Sequence, residues 1–214
     1  MATGYVTNAK TGEHIKMEVN WATSEDIKYL SEDKKWQRAE NENQTSRRKY
    51  NWSYWGKEYP VRVLKDPDGN ILGACAISKY DEEKTAYIQM ITCINPDLVN
   101  DGVILVYDAI EVSKEWGYKG RVMATPGTNP YTREMSNPSA LVFSDPSARK
   151  FFSGIGMEEI PSDHEYGYQL RYEFDEEGAD EFCNRYDMWN EMLRTHLYSF
   201  CLHSDRYDDY TDDS

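Results

Sequence analysis

The stretch from Ala86 to Trp116 constrains the fold more than any other part of the sequence. Ala86 to Ile94 is an apolar run of strand length, and Asn95 to Gly102 is a turn rich in Asn, Asp and Pro. From Val103 to Trp116 apolar residues recur at helical spacing, with Val103, Val106, Ala109, Ile110 and Val112 on one side. A strand that passes through a Gly-bearing turn into a helix presents backbone N–H groups at the head of that helix, where they can cradle an anion. Here Gly102 is the only glycine of the turn, and Asp101 puts a negative charge where an anion would sit. Gly117 and Gly120 stop the helix, and Arg121 to Ala124 reads as a short strand. Two strands separated by one helix predict parallel neighbours joined by a right-handed crossover.

Upstream, Ile15, Met17 and Val19 alternate within His14 to Asn20, which predicts a first strand. Thr23 and Ser24 ahead of Asp26 resemble a capping box, opening a helix that runs to about Trp36. Glu40 to Tyr50 is polar and lacks periodicity. Glu58 to Lys65 and Ile71 to Lys79 read as the two arms of a hairpin around Asp66-Pro67-Asp68-Gly69-Asn70. A second turn at Asp81 to Lys84 leads into Ala86 to Ile94, completing a three-strand antiparallel meander. Downstream, Thr125 to Ser144 is rich in Pro, Asn, Thr and Ser and reads as a loop. Asp145-Pro146 has the form of an N-cap followed by a first helical residue, for a helix reaching Gly154 or Gly156. Met157 to Ile160 and Tyr166 to Phe174 read as the last strands. Phe182, Tyr186, Trp189, Leu193, Leu197 and Phe200 then form one apolar stripe, predicting a helix from Phe182 to Phe200. It serves either for packing on the domain or for docking a partner. His203 to Ser214 carries five Asp and reads as a solvated tail. The expected organisation is a domain over residues 1–174, a helical extension over 175–203 and an acidic tail over 204–214.

The chain has 214 residues, enough to bury a core without a disulfide framework. Its four cysteines, Cys75, Cys93, Cys183 and Cys201, form no CxxC pair, and no segment is apolar enough to span a membrane. The cytoplasm is the expected compartment. A formal net charge of −14 opposes direct binding to nucleic acid or to anionic lipid. The one dense basic run, Arg47-Arg48-Lys49, reads as a solvated loop.

The order of elements resembles the GNAT family of N-acetyltransferases, and two motifs carry the likeness. Pro96 to Ile104 has the length and flanks of the family's turn between its fourth strand and the next helix. Asp145-x-x-Ala148-x-x-Phe151-Phe152, followed by Gly156-Met157, is similar to the family's late Asn-x-x-Ala-x-x-Phe-Tyr helix. The resemblance covers residues 14–174. It implies an α/β, GNAT-like fold with a mixed, mostly antiparallel central sheet flanked by helices, here with a C-terminal helical extension. It further implies acyl transfer from acetyl-CoA to an amine, with the coenzyme held near Thr92, Cys93, Ile94, Asn100, Asp101, Gly102, Val103, Ile104 and Asp145. The thioester carbonyl would be polarised by backbone N–H near Thr92 to Ile94, with Gln89 or a water relaying the amine proton.

The departures from the family pattern fall on the chemistry. Val99 stands at the family's basic position, Asp101 at a frequent Lys or Arg, and Asn100 and Ile104 at two small positions, so Ile104 is expected to crowd the phosphate. Phe152 replaces the Tyr that protonates the leaving thiolate, and no carboxylate lies between Ala86 and Ile94. No catalytic residue can be assigned. Three readings follow: an acyltransferase for a basic small-molecule or protein amine; an inactive GNAT-fold interaction protein, similar to degenerate members carried in tailed-phage particles and so virion-associated; and an acidic nucleic-acid mimic. A protein partner through the C-terminal helix and a homo-oligomer are both compatible with the apolar stripe. His196, Cys201 and His203 lack metal-ligand spacing and read as a helix end. Asp163-His164-Glu165 reads as a solvated turn, and the aromatic block Tyr50, Trp52, Tyr54, Trp55 and Tyr59 as core packing or a ligand wall.

Overall fold

The computed structural model describes residues 2–37, 52–125, 146–162 and 169–195. The expected strand at His14 is present as β2 (His14–Trp21), but it is the second strand. It is preceded by β1 (Ala2–Asn8), which pairs antiparallel with it from Ala2 opposite Val19 to Thr7 opposite His14. β1 escapes a pattern search because its inward positions include Gly4, where packing rather than an apolar side chain fills the space. Next come α1 (Ser24–Glu32), α2 (Lys34–Gln37) and α3 (Trp52–Glu58). The capping box at Thr23 forms as expected: the Thr23 hydroxyl accepts from the Asp26 amide, and the Asp26 carboxylate accepts from the Thr23 amide. Asp26 also receives Lys65 Nζ at 2.7 Å, which ties α1 to the sheet.

β3 (Val61–Lys65), β4 (Ile71–Tyr80) and β5 (Thr85–Cys93) form the expected meander. The chain then makes the two-residue β6 (Leu98–Val99), α4 (Asp101–Glu115), β7 (Val122–Ala124), α5 (Pro146–Gly154), β8 (Glu158–Ser162), β9 (Gln169–Phe174) and α6 (Glu176–Arg194). The sheet order is β6-β1-β2-β3-β4-β5-β7-β9-β8. Only β5 and β7 pair in parallel, across the α4 crossover that the sequence predicts.

Alternation along β4 separates two cores. Cys75 and Ile77 face the main core under α4, α5 and α6, while Ala74 and Ala76 face a second core under α1, α2 and α3. The described part of the aromatic block, from Trp52 to Tyr59, belongs to that second core: Trp52 and Trp55 of α3 are buried, with Trp52 edge-on to Trp36 at 6.2 Å, while Tyr50 lies outside the described residues. α3 was not expected as a helix, because its residues are aromatic rather than strong helix formers and its length is two turns. α4 buries Ile104, Leu105, Val106, Ala109, Ile110 and Val112, each aliphatic side chain contributing about 1.5–3 kcal/mol. It also buries Asp108, whose carboxylate takes a bidentate bond from Arg62 of β3.

α6 begins six residues before the apolar stripe does, because Asp175 caps it by accepting the Gly178 amide at 2.7 Å. Ala179, Phe182, Cys183 and Tyr186 join the main core. The helix also covers the outer edge of β1, beyond the point where β6 pairs with Thr7 and Asn8. There Tyr186 Oη donates to the Thr3 carbonyl at 3.4 Å, and Asn190 Oδ1 accepts the Tyr5 amide at 2.9 Å. Side chains of a helix thus stand where a neighbouring strand would. Cys75, Cys93 and Cys183 are free thiols. No helix among the described residues is long and apolar enough to cross a membrane. Asp145, the Arg47-Arg48-Lys49 run, Asp163-His164-Glu165, His196, Cys201, His203 and the acidic tail lie outside the described residues.

Candidate coenzyme site

β5 carries one extra residue. Its register shifts between Ala76 opposite Met90 and Ile77 opposite Ile88, leaving Gln89 as a bulge. The pairing with β7 ends at the same level, with Ile88 opposite Ala124. A bulge bends the strand, and among the described residues nothing pairs with Gln89 to Cys93 on the β7 side. The Ile94 amide bonds the Leu72 carbonyl on the β4 side at 3.0 Å. By the period of two, the Thr92 amide points the same way and the Cys93 amide points to the β7 side. Of the three amides expected to polarise a carbonyl, Cys93 is therefore the one that points away from β4. Gln89 Nε2 is held by Ser78 Oγ at 2.9 Å, and Thr92 Oγ1 is buried without a partner.

β5 leads through β6 into the head of α4. Asn100, the N-cap, is in the left-handed region at φ 74° and ψ 13°, and its side chain makes no cap. A left-handed residue leading into a right-handed helix curls successive N–H groups into a concave anion nest. Val103 and Ile104 N–H both turn to the Asn100 carbonyl, at 3.1 and 3.3 Å. Gly102 N–H donates to Asp101 Oδ1 at 2.8 Å. Asp101 is buried, and its Oδ2 has no partner. Burial pushes its carboxyl up to about 6, partly offset by the Gly102 amide and by Cys93. The Cys93 thiol is pushed well up, by burial and then by the Asp101 charge. The negative charge that looked from sequence like a repellent at the cradle's mouth folds back onto the Gly102 amide of its own helix.

The other expected site residues divide. Val99 is spent on the β6 pairing with Thr7, and Val103 packs partly buried against the main core. Ile104 does not crowd the nest. Its side chain is fully buried and turns inward, reaching within 3.2 Å of where a Cβ on Gly4 would be. Crowding comes instead from Phe151 of α5, whose ring would stand 3.2 Å from a Cβ on Gly102. Sequence reasoning passed over Phe151 in favour of Phe152. Phe152 lies in the core, stacked on Tyr172 at 5.9 Å. The Tyr172 hydroxyl is itself bound to Glu159 at 2.6 Å. The signal for Asp101 was present: an acidic residue in the first turn of a helix is a standard partner for its free N–H groups.

Comparison with solved structures gives two informative likenesses. An acetyltransferase of the GNAT family from Staphylococcus aureus Mu50 superposes with a TM-score of 0.50 at 16% identity, over 73% of this chain and 97% of that one. Apo FdhC, a nucleotide-linked sugar GNAT, superposes with a TM-score of 0.52 at 10% identity, over 89% of this chain and 98% of that one. The chain has the GNAT fold. At these identities the likeness concerns the backbone and not the chemistry. No protein-family model and no curated protein matches the sequence. The resemblance places coenzyme A at the head of α4, and three features of the described residues bear on that expectation. The nest holds a carboxylate, a phenyl ring lies over Gly102, and no basic side chain stands at position 99.

Proposed function

We propose that this is a GNAT-fold protein with a degenerate coenzyme site, which acts by binding a partner rather than by acetyl transfer. The observation that carries this reading is the Asp101 carboxylate on the Gly102 amide, at the place a phosphate would need. A second negative charge brought within about 4 Å of it costs about 1 kcal/mol in water and more where water is excluded. The helix N-terminus, worth half a charge, is already committed. With a net charge of −14, the partner expected is basic.

One observation favours the acyltransferase reading. The Gln89 bulge and the Cys93 amide, which points away from β4, keep a place where a thioester carbonyl can be polarised. Calorimetric titration of the full chain with acetyl-CoA at neutral pH separates the two. No saturable heat is expected. Micromolar binding, or amine-dependent release of the coenzyme A thiol with formation of the N-acetyl amide, would restore the enzyme.

A further inference from the structure

We propose that the outward face of α6 is the docking surface for the basic partner, and that its occupant is a Lys- and Arg-rich amphipathic helix of another protein. The inference rests on the partner-binding reading and names the surface that binding uses. Ala179, Phe182, Cys183, Tyr186 and Leu193 form the buried stripe of α6. With 3.6 residues per turn, Glu177, Glu181, Asn184, Met188 and Thr195 follow one another along the opposite side, over about 27 Å. All five are exposed. Met188 is 69% exposed, against 44% for Trp21 and 43% for Tyr29, so it is the barest large apolar side chain among the described residues. Half-buried Met192, one turn further on, extends it. Met side chains adapt their shape to a partner and suit a face that has to be covered.

The charge of the face says what covers it. Glu177, Asp180, Glu181, Asp187 and Glu191 stand on it or at its margin. The two arginines of the helix are engaged: Arg185 donates to the Ile155 carbonyl at 3.1 Å, and Arg194 pairs with Glu191. Asp180 meets Lys114 at 3.7 Å, and Glu176 meets Lys119 at 3.0 Å. Among the described residues Glu177 and Glu181 have no ion pair, although like charges one turn apart destabilise a helix. Where the face begins, a groove of about 190 Å³ is walled by Glu158, Glu173, Asp175, Glu177 and Glu181, and by no basic side chain. Arg121 bonds Glu173 from outside that wall. A Lys or Arg side chain of the partner meets complementary charge there, while an apolar residue one or two turns along its helix covers Met188. A second copy of this chain does not suit the face, because a two-fold contact would set carboxylates against carboxylates.

The test uses a fluorescently labelled synthetic helical peptide of about 18 residues, with Leu along one side and Lys on both flanks, titrated with the full chain at low ionic strength. Saturable binding by fluorescence anisotropy is expected, weakening as salt rises. Glu177→Lys/Glu181→Lys reverses two charges of the face. Glu32→Lys/Glu58→Lys makes the same change of net charge at exposed positions on α1 and α3, across the sheet. The first pair is expected to weaken binding at least about tenfold and the second less than about threefold. Met188→Asp, at a site too exposed to unsettle the fold, is expected to weaken it about tenfold. Equal weakening by the two charge-reversed pairs overturns the inference, because the peptide then follows net charge and not the face, and the partner-binding reading survives. No saturable binding overturns it too, as does a wild-type dimer that Met188→Asp disperses in sedimentation. Binding of acetyl-CoA by the wild type overturns the degenerate-site reading instead.

Discussion

The buried pair Arg62–Asp108 offers a quantitative test of the fold. Arg62 Nε and Nη2 each approach an Asp108 oxygen at 2.5 Å, with side-chain exposures of 4% and 2%. Nη2 also reaches the Val19 carbonyl at 3.3 Å, and the guanidinium lies 4.3 Å over the Trp21 ring. Despite this partner the Asp108 carboxyl is raised above its ordinary value, because burial outweighs the bond and charge of Arg62. A buried ion pair of this kind need not recover the cost of dehydrating its charges. Two consequences follow. Arg62→Leu strands a buried charge and is expected to cost about 3–5 kcal/mol at pH 7.5. The double change Arg62→Leu/Asp108→Leu removes both charges and is expected to be neutral or more stable than the wild type by about 1–4 kcal/mol. Because a raised carboxyl favours its protonated form in the fold, the single variant should recover part of its loss as pH falls towards 5. Urea unfolding followed by tryptophan fluorescence, with a common slope for all variants, reads each difference. A single variant within about 1 kcal/mol of the wild type, or a double variant as unstable as the single, would refute the reasoning.

Two further outcomes are expected. For Asp101 the folded carboxyl, at about 6, lies above its ordinary 3.8, so the fold prefers the protonated form and loses stability as pH rises from about 4 through about 6. Asp101→Asn should therefore be the more stable protein at pH 7.5, by about 1–3 kcal/mol, with no advantage at pH 4; thermal unfolding at the two pH values checks this, and a less stable variant at pH 7.5 contradicts it. A Cβ on Gly4 would stand 1.9 Å from Tyr186 Oη and 3.1 Å from Ile104, so Gly4→Ala is expected to cost about 1–3 kcal/mol by overpacking. Adding Tyr186→Phe removes the nearer atom and should recover most of that loss, and a double variant no better than Gly4→Ala would place the strain elsewhere.

The architecture was legible where pattern and punctuation agree. Thr23 and Asp26 announced α1, Asp66 to Asn70 the β3–β4 hairpin, and the apolar period of Val103 to Val112 the crossover helix with its parallel neighbours. It was illegible where tertiary packing substitutes for local signal. β1 presents Gly4 to the core, and its edge beyond β6 is satisfied by α6 side chains. The site was half legible. Asp101 was recognised as opposed to a phosphate, but a sequence does not say which way a side chain folds, and here it folds back onto its own helix. The same limit hid the exchange between Ile104, which turns into the core, and Phe151, which turns towards the nest.

The seal that α6 places on β1 also has a consequence in time. Tyr5 and Asn190, which share a hydrogen bond, are 185 positions apart, and Thr3 and Tyr186 are 183 apart. Of the described elements, the strand made earliest is thus completed by the helix made latest. At about 5–20 residues per second that interval is roughly 10–40 s, during which the Thr3 carbonyl and Tyr5 amide await their partners. The chain cannot finish its sheet vectorially, from one end to the other. It must hold this margin of β1 open until α6 has been made, and close it only when the two segments are present together.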